Sequence, residues 1–267
     1  LSAETLTDKS ARQKTLVEAQ ALVDRFSREF PTSQLATRHR LQEGRLKVAR
    51  GGNANLKSAV TLFRAALAQG RTEKIRNRAR YQLARVASQL GDDRLVLESL
   101  KPFLSSIDDS NRAGEFDDAL VLGASSFLAA GQHKPAAAAA SKYLKKHPKG
   151  TLAADALVVL AEASELQGQA AAADLALTRL ANGFRDKPIY AQTLRRMAEA
   201  SYAAKKYSRS ERLFGNLIAL GTRSPFHAAG LSGRGWSLFE SKKYDEAARI
   251  FQQVVTQHPR DELAAEA

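Results

Sequence analysis

A chain of 267 residues without cysteine has neither a disulfide framework nor thiol chemistry. No apolar run approaches the roughly 20 residues a helix needs to span a bilayer. The net charge of +13 points to anionic partners, nucleic acid or an acidic surface among them. That charge is uneven: residues 1–50 carry 10 basic and 6 acidic side chains, 51–100 carry 9 and 4, and 151–200 carry 5 and 6.

In chain order the sequence falls into two-helix repeats covering 1–33, 34–72, 73–112, 113–150, 151–187, 188–224 and 225–259, with a further repeat starting at 260–267. A small residue early in each second helix is followed four positions later by a second, usually larger one. The pairs are Ala19/Val23, Ala59/Phe63, Val96/Leu100, Ala136/Ala140, Ala173/Leu177, Ser210/Phe214 and Ala247/Phe251. Successive small residues stand 40, 37, 40, 37, 37 and 37 apart, a regularity that marks stacked helical repeats. Gly51-Gly52 and Gly91 read as turns. The connection from Asp108 to Gly114 is polar and reads as the loosest point. Alanine runs at 136–140 and 170–173 fall where second helices begin, and alanine is the best helix former, so they read as tight packing.

The last complete repeat has the clearest wording. Leu231, Gly235 and Leu238 share one face of its first helix, with the glycine allowing close approach. Lys242-Lys243 makes the turn; Tyr244, Ala247, Phe251, Val254 and Val255 form the stripe of the second helix, and Pro259 ends it. Both ends of the chain read as internal to a longer polypeptide, since residues before Arg12 run straight into a second-helix pattern and Glu262 opens another first helix.

Leu231, Gly235, Leu238, Tyr244, Ala247, Phe251 and Pro259 together resemble the tetratricopeptide repeat (TPR). Arg234 departs from the pattern where a leucine is expected, as does Ala140 where an aromatic is expected. The resemblance covers nearly the whole chain and implies an all-α fold: one α-solenoid of about six helix-turn-helix repeats in a right-handed superhelix. The Pro-containing connections Phe30-Pro31-Thr32-Ser33, His147-Pro148-Lys149-Gly150, Ser224-Pro225-Phe226 and His258-Pro259-Arg260 are similar to those of bacterial envelope-type TPR proteins, such as outer-membrane assembly lipoproteins and the Tol–Pal-associated coil protein. That likeness implies the periplasm or cell envelope in preference to the cytoplasm.

The family's first helices line a concave groove, and the resemblance carries this onto Arg38 and Arg45, then Arg78, Tyr81 and Arg85, then Asp118, Val121 and Ser125. Asp155, Val158, Glu162 and Glu165 follow, then Arg195, Glu199 and Tyr202, and last Trp236 and Phe239. Such a groove is basic at its start, acidic in its middle and aromatic at its end. The densest cluster, Arg71, Lys74, Arg76, Arg78, Arg80 and Arg85, reads as a solvated helix face or as a landing site for an acidic peptide, a C-terminal carboxylate or phosphates, because guanidinium pairs with such anions in bidentate fashion. Trp236 reads as a peptide anchor or as packing against a following repeat.

No catalytic, metal-binding or cofactor-binding constellation is present in the pattern. His39, His133, His147, His227 and His258 have no ligand spacing, and His147 and His258 sit where they favour a helix C-terminus. Asp108-Asp109 and Asp117-Asp118 read as helix caps. The expected function is therefore a non-enzymatic scaffold that binds a partner protein or an extended peptide along the groove, with acidic segments among the candidates. An alternative is an accessory, substrate-positioning domain of a larger cell-wall or glycosyl-transferring enzyme. Nucleic acid is disfavoured, because basic and aromatic residues do not interleave and the acidic middle repels a phosphate backbone.

Overall fold

The protein is described by a computed structural model covering residues 9–30, 33, 35–105, 107 and 114–266. Pro31, Thr32, Asp108 and Asp109, and with them most of the connection expected to be loosest, lie outside the described residues. The chain divides into two compact units, Leu1–Gly131 and Gln132–Ala267. Among the described residues every regular element is a helix.

The first unit holds α1 (Lys9–Glu29), α2 (Ala36–Arg50), α3 (Asn53–Gln69), α4 (Glu73–Gln89), α5 (Asp93–Leu104) and α6 (Ala119–Ala129). The second holds α7 (His133–Lys146), α8 (Ala153–Leu166), α9 (Ala170–Phe184), α10 (Pro188–Ala203), α11 (Tyr207–Ile218), α12 (His227–Glu240), α13 (Tyr244–Gln257) and α14 (Leu263–Glu266). Within each unit a helix packs on the next along the chain, and alternate helices also touch: α2 on α4 on α6, and α8 on α10 on α12. This stacking of first helices gives each unit a wall on which side chains from successive repeats lie side by side. The fold is the expected all-α arrangement of helical repeats.

The core is made by the small and large residues of the repeat frame. Ala59, Val96, Ala136, Ala173, Ser210 and Ala247 are all buried, as are Phe63, Leu100, Ala140, Leu177 and Phe214. Ala19 and Val23, the faintest copy, are only half-buried. Gly235 shows why the facing position must be small: a Cβ there would lie 2.5 Å from the Phe251 ring. Ser210 keeps its place among apolar neighbours because its hydroxyl donates to the Ala198 carbonyl at 2.9 Å, and the Ser237 hydroxyl lies 3.0 Å from it. Two residues of the expected α13 stripe are corrected by the structure. Tyr244 is 56% exposed because it opens the helix and leans on Phe239, and Val255 points outward while its neighbour Val254 is buried.

Helix boundaries follow local chemistry. Thr72 accepts the Ile75 N–H at 3.3 Å to cap α4, and Asp92 accepts the Leu95 N–H at 2.9 Å to cap α5. Asp118, expected as a cap, makes no side-chain cap bond to α6 and turns to Tyr81 instead. Its neighbour Asp117 is buried and accepts the Gly114 N–H at 2.6 Å. In four helix pairs the turn places one residue at positive φ, Gly91 at 72°, Gly168 at 76°, Lys205 at 58° and Lys242 at 63°, whereas the turn from α2 to α3 has two, Gly51 and Gly52. The first four close Schellman motifs, for example Gln169 N–H to Ser164 carbonyl at 2.8 Å and Lys206 N–H to Ser201 carbonyl at 2.9 Å.

One buried ion-pair network ties two repeats of the second unit. Arg209 of α11, 11% exposed at its side chain, grips Glu165 of α8, 4% exposed, with Nη2 to Oε2 at 2.5 Å. The same guanidinium donates to both Asp174 oxygens at 2.9 and 3.0 Å, and the Ser201 hydroxyl donates to Glu165 at 2.6 Å. Burial works to raise the Glu165 pKa, but the hydrogen bonds from Arg209 and Ser201 outweigh it and hold the carboxyl below its ordinary value. Glu165, expected on the groove, is therefore a buried tie, and Val121 and Val158 are likewise buried between helices.

Replacing Lys205 or Lys242 by Gly should stabilise the fold by about 0.5–1 kcal/mol each by relieving a left-handed backbone at a non-glycine residue, while Gly168→Ala should cost a similar amount. Urea unfolding followed by helical circular dichroism measures both. Arg209→Ala should cost about 3–5 kcal/mol, because it strands a buried carboxylate, and Arg209→Met with Glu165→Leu should recover most of that loss. Because the folded pKa of Glu165 is depressed, its contribution is complete above the unfolded value of 4.5 and is lost as pH falls through the folded one. Unfolding in this acid range should therefore be shallower with pH in the Arg209→Met/Glu165→Leu protein.

Candidate functional site

In the first unit, α2 and α4 part to form a cleft of about 560 Å³. Arg38, Leu41, Gln42 and Arg45 line it from α2; Lys74, Ile75, Arg78, Tyr81 and Gln82 line it from α4; Glu115 and Phe116, in the turn before α6, close it. The expected groove residues Arg38, Arg45, Arg78 and Tyr81 thus meet in one place. Arg85 stands outside the lining, with its guanidinium 5.7 Å from the Tyr81 ring centroid.

The arginine cluster on α4 is sorted by its partners. Glu73 takes Arg76 at 2.6 Å and Arg80 at 2.5 Å, and Arg76 also donates to the Gly70 carbonyl at 2.9 Å. Arg78 donates from Nε and Nη2 to one oxygen of Glu115, at 3.1 and 2.8 Å. Tyr81 donates to Asp118 and packs on Phe116 with ring centroids 5.2 Å apart. Burial, then the bond to Asp118, push the Tyr81 pKa well above that of an ordinary phenol, so the hydroxyl remains a donor. Among the described residues no carboxylate pairs with Arg38, Arg45 or Lys74. The cleft therefore has three unneutralised cations on its rim, one exposed ion pair, and an apolar floor of Leu41, Ile75 and Phe116.

In the second unit the expected acidic residues are mostly engaged. Glu162 pairs with Arg196 at 2.5 Å and Glu199 with Arg195 at 3.2 Å, while Asp155 is exposed. Arg195 also lies 5.7 Å from the Phe226 ring centroid. A second cleft, of about 430 Å³, is lined by Glu199, Tyr202, Phe214, Gly233 and Trp236. Trp236 is 37% exposed and stands edge-on to Phe251 at 5.3 Å and to Phe239 at 5.8 Å. Phe239 points past this cleft toward Tyr244. His258, rather than serving only its helix end, lies with Nε2 2.8 Å from Nδ1 of buried His227; burial, then the neighbouring ring, lower the His227 pKa.

Among the described residues no group of three or more His, Cys, Asp or Glu is placed to hold a metal ion, and no helix is long and apolar enough to cross a membrane. Sequence reasoning had passed over Glu115 and Phe116 as cleft residues and Arg209 as a tie. A signal for the first existed. Glu115 follows Arg78 by 37 positions and Asp118 follows Tyr81 by 37, one repeat period in each case.

The tetratricopeptide-repeat family model matches residues 118–150 and 231–261. No curated protein matches the chain. Among solved structures, a tetratricopeptide repeat protein from Parabacteroides merdae is similar with a TM-score of 0.56 and 15% identity, over 96% of this chain and 92% of that one. The C-terminal part of a TPR repeat-containing protein from Cytophaga hutchinsonii gives 0.55 and 14%, over 84% and 80%. YrrB, described as a TPR protein with an unusual peptide-binding site, gives 0.51 and 13%, over 76% and 96%. At 118–150 and 231–261 the chain matches tetratricopeptide repeats by sequence, and its fold is that of tetratricopeptide-repeat proteins.

Proposed function

We propose that the protein is a non-enzymatic scaffold and that the cleft between α2 and α4 holds an acidic segment of a partner protein. Tetratricopeptide repeats generally mediate contacts between proteins. The observation that carries the reading is the rim of Arg38, Arg45 and Lys74, three cations with no carboxylate partner among the described residues, over a floor of Leu41, Ile75 and Phe116. Charge-assisted bonds from such a rim would orient an extended acidic chain. Helix stacking fixes the backbone that carries the rim beforehand, so binding orders the ligand and the rim side chains but not the wall itself. A peptide-binding use is also ascribed to YrrB, which has a similar fold.

The second unit supports the same role with different chemistry. Tyr202, Phe214 and Trp236 offer a seat for an apolar side chain of the partner. Trp236 is the single tryptophan, so its emission reports on that seat. A single-stranded nucleic acid fits the first cleft less well than a peptide does, because Tyr81 and Phe116 are half-buried and tilted against each other rather than presented as a platform for successive bases. A place in the bacterial envelope is supported by the wording of the Pro-containing connections alone, and fractionation of cells expressing the full-length protein tests it.

Arg38→Glu with Arg45→Glu reverses two charges on the cleft rim and should weaken binding of a labelled acidic peptide by at least about tenfold, with unchanged helical circular dichroism. Fluorescence anisotropy at low and moderate salt measures it. Equal binding by the double variant, or tighter binding of a single-stranded oligonucleotide than of the peptide, would reject the reading.

A further inference from the structure

Among the described residues Glu115 is the one carboxylate on the lining of the first unit's cleft, and it lies on the one arginine there that is paired with an acid. Both bonds from Arg78 converge on a single oxygen, Oε1, so the guanidinium keeps donors to spare. The two side chains are 49% and 53% exposed, which makes this a weak, solvent-screened pair. The contrast with the buried grip of Arg209 on Glu165 is instructive: that pair cannot open without stranding a charge, whereas this one opens into water at little cost.

We infer that Glu115 is an internal stand-in for a ligand carboxylate, occupying Arg78 until a side-chain carboxylate of the bound segment displaces it. The inference rests on the acidic-segment reading of the cleft and adds a specific seat. It makes Arg78 the point where one acidic side chain of the ligand is taken, while Arg38, Arg45 and Lys74 attract the acids that flank it. Phe116, next to Glu115, packs against Tyr81 and Phe103, so the turn that carries the stand-in is anchored while the Glu115 side chain itself is free to swing into solvent. Displacement exchanges one carboxylate for another on the same guanidinium. The ligand therefore gains less at Arg78 than at an unoccupied arginine, and the cleft favours segments acidic enough to engage the other rim cations as well.

The test is a double-mutant cycle on Glu115 and Arg78 with labelled hexaglutamate as the probe, read by fluorescence anisotropy at low and moderate salt. Glu115→Gln should tighten binding on the order of fivefold at low salt by freeing Arg78, with the gain shrinking as salt rises. In an Arg78→Gln background the same change should give little further gain, because the stand-in has nothing left to occupy. A gain that persists without Arg78 would show Glu115 acting only through its distant charge, and unchanged or weaker binding by Glu115→Gln would show it orienting Arg78 for the ligand; either result overturns the inference while leaving the acidic cleft in place. Failure of both the native protein and Glu115→Gln to bind hexaglutamate would overturn the acidic-segment reading and this inference with it. Helical circular dichroism of each variant confirms that the fold is retained.

Discussion

The contact on which the rest of the structure depends is that of a small residue on one helix with a large one on its neighbour. Gly235 against Phe251 is its sharpest instance, where one added methyl would meet the ring. Close approach lets two helices bury their facing stripes with side chains such as Leu231 and Leu238 filling what remains. Neither helix of a pair could bury its apolar face alone, and stacking gives both a partner. The Schellman turns that close four of the pairs return the chain in register for the next contact.

From that repeated contact a second consequence arises. Within each unit, residues about one period apart come to lie side by side on the wall formed by its first helices. Arg78 and Glu115, Tyr81 and Asp118, Arg196 and Glu162, and Ser201 and Glu165 are separated by 34 to 37 positions yet bonded directly. In an isolated helix, charge pairing is a matter of neighbours three or four positions away. Here the period itself writes pairs across repeats, and the character of the surface depends on which cations find such a partner.

This explains what was legible in the sequence and what was not. The helices, their turns and the buried frame from Ala59 to Ala247 follow from spacing and residue size, which are local properties. The gathering of Arg38, Arg45, Arg78 and Tyr81 follows from the same frame. Charge state does not. The sequence shows an arginine cluster on α4, but whether Arg76 or Arg78 remains available depends on Glu73 in the same helix and on Glu115 in another repeat. Tyr244 and Val255 were misplaced for a related reason: an apolar residue at the start or margin of a stripe is buried only if a neighbouring element covers it, and the periodicity of one helix carries no information about that cover.

Burial then separates two uses of the same chemistry. An arginine–carboxylate pair taken out of water, as at Arg209 and Glu165, costs much to break, and it holds two repeats at a fixed spacing. A pair left in water, as at Arg78 and Glu115, contributes little to stability because solvent screens it, and for the same reason it can exchange partners. A scaffold that recognises acidic segments requires both kinds. Its repeats must hold the backbone under the rim cations rigid enough to limit the freedom lost on binding, and at least some of those cations must be bound so weakly by the protein's own acids that a ligand can compete for them. Exposure of the ion pair, more than its length or its composition, is therefore the property that divides framework from proposed binding surface within each unit.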